Sequence, residues 1–351
     1  MKEQVERICI SVNTECNLGC KYCYFFNPEN RILKESVLSV DEIFTILKNI
    51  NEYSKNNYVK KAIKVNYVGS GEPLINWDII KKAIEKFNII KVNEKVEFYL
   101  VTNATLMTDK IAKEMKQLNL FPSVSLDGYQ ELHDENRLTH NGAGSFEKTM
   151  NGIDFLRKNN FRIAINTTVT KTLVKNIDNF FKFLQKNKID KVIFDRLVDT
   201  PSDFEEMTYS EFYEFLLNAY RTKEKLNFKN IEIGNIEAYK KNFEGRPDKV
   251  CTMFGASCGA GINFLIYMSR EVYPCGRMFG KDRWKLGNFK DDIEQLQNNM
   301  YAKIPNRQDC QECSLIKECV KDCLLEYEEE NYSCEPRQEF INKLKIDLYE
   351  K

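Results

Sequence analysis

Histidine is almost missing from this chain: His133 and His140 are the two in 351 residues. That scarcity excludes a Cys2His2 zinc array. An excess of either charge is missing as well. The 52 Lys and Arg are matched by 52 Asp and Glu, so the formal net charge is zero. A polyanion-binding protein carries a basic excess, so no nucleic acid partner is expected. No run approaches the roughly 18 apolar residues of a membrane span. The start, MKEQVERICISVN, is charged and lacks the long apolar segment of a signal peptide. A cytoplasmic protein with no membrane partner is the expectation. Cysteine is absent between residues 24 and 250, although the chain has twelve. Twelve thiols in a reducing compartment are metal ligands more often than disulfides. Sites rich in thiolate select zinc or iron–sulfur clusters.

The cysteines that are present fall in two groups. Cys16, Cys20 and Cys23 share one short loop. Cys251, Cys258, Cys275, Cys310, Cys313, Cys319, Cys323 and Cys334 all follow residue 250. Cys9 sits in the apolar run Ile8-Cys9-Ile10 and reads as a core thiol. Between the groups, β-rich runs alternate with helical patterns. Strands are predicted at Ile8 to Val12, Ala62 to Val68, Val96 to Val101, Phe121 to Leu126, Arg162 to Val169 and Lys191 to Leu197. Helices are predicted from Ser39, whose capping box closes with Glu42, and over Trp77 to Ile90, Asp109 to Leu118, Ser145 to Lys158 and Leu173 to Asn187. Six β-then-α units imply an α/β fold with parallel strands, either a partial barrel or an open doubly wound sheet. Both place ligands at the carboxyl ends of the strands, and the three-cysteine loop follows the first strand. Breaks at Thr200 to Asp203 and Gly245 to Asp248 flank a helical bridge at Tyr209 to Leu226. The expected domains are 1–200, a bridge at 201–249, and a cysteine-rich module at 250–351.

Three thiolates in eight residues cannot close a four-coordinate site. A [4Fe–4S] cluster held by three cysteines leaves one iron without a protein ligand, open to a small molecule bearing an amine and a carboxylate. A zinc or redox Cys-x-x-Cys is the plainer alternative. The loop ECNLGCKYCYF resembles the signature of radical S-adenosylmethionine (SAM) enzymes. The resemblance implies that the open iron chelates SAM, and that one electron cleaves the sulfonium to a 5′-deoxyadenosyl radical that abstracts hydrogen. It implies a partial (β/α)6 TIM-like barrel. VGSGEP, with Gly71 and Glu72, is similar to the family's Gly-Gly-Glu-Pro segment at the SAM amino group, with Ser70 in place of the first glycine. Ser125 of SLDG and Arg137 match contacts to the SAM ribose and carboxylate, and Tyr22 and Leu197 fall where adenine is held. Singly, each of these also reads as an ordinary turn, strand end or surface cation.

The C-terminal cysteines resemble the SPASM extension of the same superfamily. By that resemblance Cys310, Cys313, Cys319 and Cys334 would hold one auxiliary [4Fe–4S] cluster. Cys258, Cys275 and Cys323 would hold another, with Cys251 as fourth ligand or with an open iron. Two structural zinc sites are the alternative. The family usually has Gly five residues before the cysteine matching Cys275; Arg270 stands there, so the hairpin turn must be made differently. Proteins of this build mostly modify peptides or proteins. Sulfatase maturases carry an Asp base directly after the cysteine matching Cys275, and here that residue is Gly276. The expectation is therefore a maturase of ribosomally made peptides, forming a crosslink such as a thioether. Its partners would be a peptide substrate, a separate leader-peptide-binding protein, and a reductant such as flavodoxin or ferredoxin. Anaerobic sulfatase maturation is the rival within the class. A non-catalytic zinc or electron-transfer protein is the rival outside it. Asp195, Arg196 and Asp199, at the end of the sixth strand, are candidates for base or substrate anchor, or for a solvated rim. His133 reads as a structural hydrogen-bonding residue.

Overall fold

The computed structural model describes residues 3–26, 36–59, 61–90, 95–201, 204–246, 249–250, 257–304, 310, 312–319, 323–327 and 333–350. Cys251 lies outside the described residues, so its ligand assignment stays a matter of sequence. Seven parallel strands lie in chain order: β1 (Arg7–Ile10), β2 (Ile63–Tyr67), β3 (Val96–Thr102), β4 (Leu120–Ser125), β5 (Ala164–Val169), β6 (Lys191–Arg196) and β7 (Glu232–Ile233). A doubly wound sheet reverses its order at a switch point. This one never does, so of the two α/β architectures the strand order selects the partial barrel.

Alternation along the strands divides two environments. Ile8, Ile10, Val65, Leu100, Val124, Ile165 and Phe194 are fully or almost fully buried. The intervening residues, among them Cys9, Asn66, Ser123, Asn166 and Asp195, line an interior lumen. Cys9 is thus buried as expected, at 4% exposure, but on the lumen side. Helices α1 (Val40–Asn56), α2 (Trp77–Ile90), α3 (Asp109–Gln117), α4 (Gln130–Asp134) and α5 (Phe146–Lys158) cover the outer face. The Ser39–Glu42 capping box forms as predicted. The single helix predicted over Leu173 to Asn187 is instead two, α6 (Lys171–Lys175) and α7 (Ile177–Lys186). Asn176 adopts φ −118°, ψ 21° between them and donates its side-chain amide to Thr172 O at 2.9 Å. Asn competes in this way with helical bonding.

The bridge contains α8 (Tyr209–Lys225), the short β7, and a helix that periodicity missed, α9 (Gly234–Phe243). Asn235 pairs with the β6 backbone, accepting from Phe194 N at 2.8 Å and donating to Phe194 O at 2.9 Å. One amide side chain thereby extends the ladder past the two-residue β7. A small ladder joins β8 (Lys249–Val250) and β9 (Ser257–Cys258). Beyond it β10 (Phe264–Met268) pairs parallel with β1, and β11 (Glu271–Tyr273) and β12 (Gly287–Asn288) follow antiparallel, making one ten-stranded sheet. Strands from the cysteine-rich region therefore continue the barrel sheet.

The β10–β11 hairpin is closed by Ser269 and Arg270, both left-handed with φ of 48° and 70°. This two-residue turn, positive at both positions, matches the twist of the flanking strands and ordinarily selects Asn or Gly. Arg270 is held in it by Glu42, at 2.5 and 3.1 Å, and by Val37 O at 3.1 Å. A left-handed non-glycine costs about 1–2 kcal/mol, and the half-exposed ion pair returns about 1 kcal/mol at most. Arg270→Ala should lower stability by about 1 kcal/mol, whereas Arg270→Gly should stay close to wild type, as read by urea denaturation. Equal loss in both variants would contradict this account of the turn.

Candidate functional site

The three-cysteine loop lies at the carboxyl end of β1 and is pinned from two sides. On one side Gly19 N and Lys21 N donate to Leu138 O and Asn136 O at 2.8 and 3.0 Å. His140 Nε2 bonds Cys16 O at 2.8 Å. On the other side the loop meets the turn after β2. Glu72 N donates to Glu15 O at 2.8 Å, and Asn13 Nδ2 donates to Glu72 O at 3.0 Å. A Cβ at Gly71 would lie 2.0 Å from Asn13 Oδ1 and 2.3 Å from Glu15 O. Position 71 has no room for a side chain, which is the physical content of that glycine. Ser70, in place of the family's glycine, is buried and bonds Ser11 Oγ at 3.0 Å. Its hydroxyl ties the turn to β1.

Glu72 is 3% exposed and accepts from Thr102 Oγ1 at 2.6 Å, Leu74 N at 3.0 Å and Asn103 N at 2.8 Å. Burial pushes its carboxyl above the usual range, against those hydrogen bonds. Its side chain is therefore occupied in bracing the turn, and what this segment offers a ligand is the backbone around Gly71. Ser125, Arg137, Tyr22 and Leu197 all line the same cavity as the cysteine loop. They are linked by Asp127, a residue inside SLDG that sequence reasoning did not single out. Tyr22 Oη and Arg137 Nε both donate to Asp127 Oδ2, at 2.5 and 2.9 Å, while Thr168 N donates to Oδ1 at 3.0 Å. The guanidinium also stands over the Tyr22 ring, 5.4 Å from its centroid. His133 is fully buried, accepts from Asp127 N at 3.3 Å and pairs with Ser145 Oγ at 3.0 Å. Burial lowers its pKa to about 4, so it stays neutral and structural.

Cys16 and Cys20 are pushed up to about 11 and about 12, chiefly by burial, and each is raised further by its neighbours in the loop. Such thiols ionise when a cation or cluster sits against them, because buried anions are otherwise costly. Among the described residues no three metal-binding side chains gather at single-ion distance. The fit to a cluster therefore rests on the donor set: three thiols facing one cavity with Arg137 beside them. Cys258, Cys275 and Cys323 line that cavity too. Cys275 and Cys323 are pushed up by burial first, then by one another or by Cys258. Farther out, Gln338 Nε2 reaches both Cys313 and Cys334, at 3.8 and 4.0 Å. Cys319 O accepts from Arg337 at 2.9 Å, and Cys310 is half-buried.

The end of β6 is joined to this module by buried charges. Arg277 donates to both Asp199 oxygens and to Glu326 Oε1, the last at 2.7 Å. Arg196 donates to the same Glu326 oxygen and, at 2.7 Å, to Met207 O. Asp199 and Arg196 therefore serve a strut rather than a solvated rim. Asp195 faces the lumen, and burial raises its carboxyl to about 7. The strut partners lie 49 to 130 residues apart in sequence, and no local signal marks them. A methyl group at Gly71 should displace the loop from its turn. Gly71→Ala should weaken SAM binding at least tenfold in equilibrium dialysis with the anaerobically reconstituted protein, and wild-type affinity would contradict the close approach.

The sequence profile described as the radical SAM superfamily matches residues 10–184, about half the chain. A cysteine-type anaerobic sulfatase-maturating enzyme of Clostridium novyi is 27% identical over 359 aligned positions, covering 94% of this chain and 92% of that one. The solved structure of native anSMEcpe with bound AdoMet and Kp18Cys peptide superposes with a TM-score of 0.78 at 20% identity, covering 96% of each chain. Streptococcus suis SuiB bound to precursor peptide SuiA superposes with a TM-score of 0.67 at 19% identity, over 93% of this chain and 74% of that one. At such identities the two structures establish the fold, which here extends through the cysteine-rich C-terminal part. With its three-cysteine loop set at the mouth of a partial barrel, the chain belongs to the radical SAM superfamily and is an enzyme.

Proposed function

We propose that the protein modifies a ribosomally made peptide by radical chemistry, closing a crosslink of which a thioether is the leading form. Cys16, Cys20 and Cys23 would hold the [4Fe–4S] cluster, and SAM would sit between Arg137, Ser125, Tyr22, Leu197 and the backbone at Gly71. Cys258, Cys275 and Cys323 would hold one auxiliary cluster beside the same cavity; Cys310, Cys313, Cys319 and Cys334 would hold the other. When bound, the first cluster supplies the electron that cleaves SAM to a hydrogen-abstracting radical.

The observation that carries this reading is at Gly276. A Cβ there would lie 2.9 Å from the Tyr24 hydroxyl and 3.6 Å from Phe25 Cζ. The Tyr24 hydroxyl faces the place where a sulfatase maturase would carry its Asp, with Phe25 in van der Waals reach. A carboxylate base at 276 is thus missing, and a side chain there would have to displace the Tyr24 hydroxyl. Formylglycine formation is the second reading, favoured by the kinship with the Clostridium novyi maturase along nearly the whole chain. The two separate on substrate. Incubated with SAM and dithionite, the enzyme should remove a pair of hydrogens from a short peptide encoded beside its own gene, as read by mass spectrometry. It should leave a Cys-x-Pro-x-Arg peptide unchanged. Aldehyde formation on the latter would sink the crosslinking proposal.

Asp195 is the proton acceptor we assign to this cavity. Around it, Asn166 and Arg137 favour the carboxylate and Asp127 opposes it, while burial dominates and sets the carboxyl at about 7. A base works deprotonated, so product formed per SAM cleaved should rise with pH through about 7. The same shift means that the folded protein keeps a proton that the unfolded chain releases near 3.8. This part of the stability is complete below 3.8 and lost as pH climbs to about 7. Asp195→Asn should keep SAM cleavage, lose peptide product at least a hundredfold, and flatten that stability trend. Unchanged product formation in the variant would remove Asp195 from the reaction.

A further inference from the structure

Below the cysteine loop the lumen remains open. Closed eight-stranded barrels fill their interior with layers of side chains. Here Cys9, Ser123 and Ala164 are small, and one cavity of about 780 Å³ continues past them to the N-terminal ends of the strands. The lower end is cationic. Arg7 and Lys64 are neighbours in register on β1 and β2, and Arg162 and Lys191 line the same space. Among the described residues, Glu232 and Glu97 stand against these cations. Glu232 is shared by Arg162 and Lys191 at 3.1 and 2.5 Å. Glu97 is the register partner of Lys64 and accepts from Tyr99 Oη at 2.8 Å. The Nε of Arg7 is buried and finds no hydrogen-bond partner among the described residues. A buried donor without a partner is costly, and a planar guanidinium is matched by a carboxylate. Tyr99 and Phe121 add an aromatic wall, their centroids 5.6 Å apart, with Phe121 47% exposed at the rim.

We propose that this lower end is a second recognition site, in which Arg7, with Lys64 beside it, binds a carboxylate carried by the peptide substrate. The inference rests on the peptide reading above. Arg7 and Ser11, which bonds the Ser70 turn, are four residues apart, or about 13 Å at roughly 3.3 Å per residue. An extended peptide therefore bridges the two ends with about four residues. Its source is either an Asp or Glu side chain or the peptide C-terminus.

The test measures binding rather than turnover. The anaerobically reconstituted full chain is panned against a display library of random dodecapeptides whose C-termini are fused to the carrier. In parallel, individual dodecapeptides recovered from the panning are synthesised as C-terminal acid and as amide, and compared by fluorescence anisotropy. An enrichment of Asp or Glu of at least fivefold in the wild type, lost in Arg7→Gln and partly restored in Arg7→Lys, supports a side-chain carboxylate. A preference for acid over amide of at least tenfold, again lost in Arg7→Gln, supports the C-terminus. Should Arg7→Gln fail to fold by circular dichroism, Lys64→Gln decides by the same readouts. Peptide binding with neither preference, or with a preference that both variants keep, overturns the inference and leaves the peptide reading standing. A wild type that binds no peptide overturns both.

Discussion

The structure depends on one close approach. The cysteine loop and the turn after β2 touch backbone to backbone, with Glu15 O accepting from Glu72 N at 2.8 Å and no space for a side chain at Gly71. This contact fixes the loop whose three thiols line the cavity. Glu72 is braced internally so that the turn cannot shift, and His140 locks Cys16 from the opposite side. The cost of burying the Glu72 carboxylate is offset only in part by its three donors. A loop so constrained can present three sulfurs to one cavity without collapsing onto them.

A second level of organisation joins the barrel to the cysteine-rich region. Strand β10 enters the sheet beside β1, and the Arg196–Glu326–Arg277–Asp199 chain ties the end of β6 to residues next to Cys275 and Cys323. The charges in that chain are two and two, so the buried strut is neutral as a whole. Removing one member would strand a charge in a low-dielectric setting, which is the expensive case for buried ion pairs. The strut thereby sets the separation between the two cysteine groups that share the cavity, and its geometry shapes the space left for a substrate.

Much of this was legible in the sequence because it is local. β-rich runs mark all six main strands to within about two residues at each end. The Ser39–Glu42 capping box announced α1, and the spacing of Cys16, Cys20 and Cys23 announced the site. What was not legible is long-range. The insertion of β10 beside β1 joins segments about 250 residues apart, and the two left-handed residues of its hairpin are stabilised by Glu42 from another helix. The split at Asn176 turns on one residue's side chain competing with the helix. The missing Asp at Gly276 could be read from the resemblance, but that the Tyr24 hydroxyl faces position 276 is a tertiary fact. Asp127, the hub for Tyr22 and Arg137, lies inside SLDG, whose serine alone carries a sequence signal.

The central claim is that the first-loop site holds a cluster with one iron left for SAM. Mössbauer spectroscopy on protein enriched in ⁵⁷Fe, with the auxiliary cysteines replaced so that the Cys16, Cys20 and Cys23 site alone is loaded, addresses it most directly. The account predicts a [4Fe–4S] spectrum in which adding SAM shifts one iron of the four to a higher coordination number. A spectrum indifferent to SAM, or a site filled by zinc in place of iron, would contradict it.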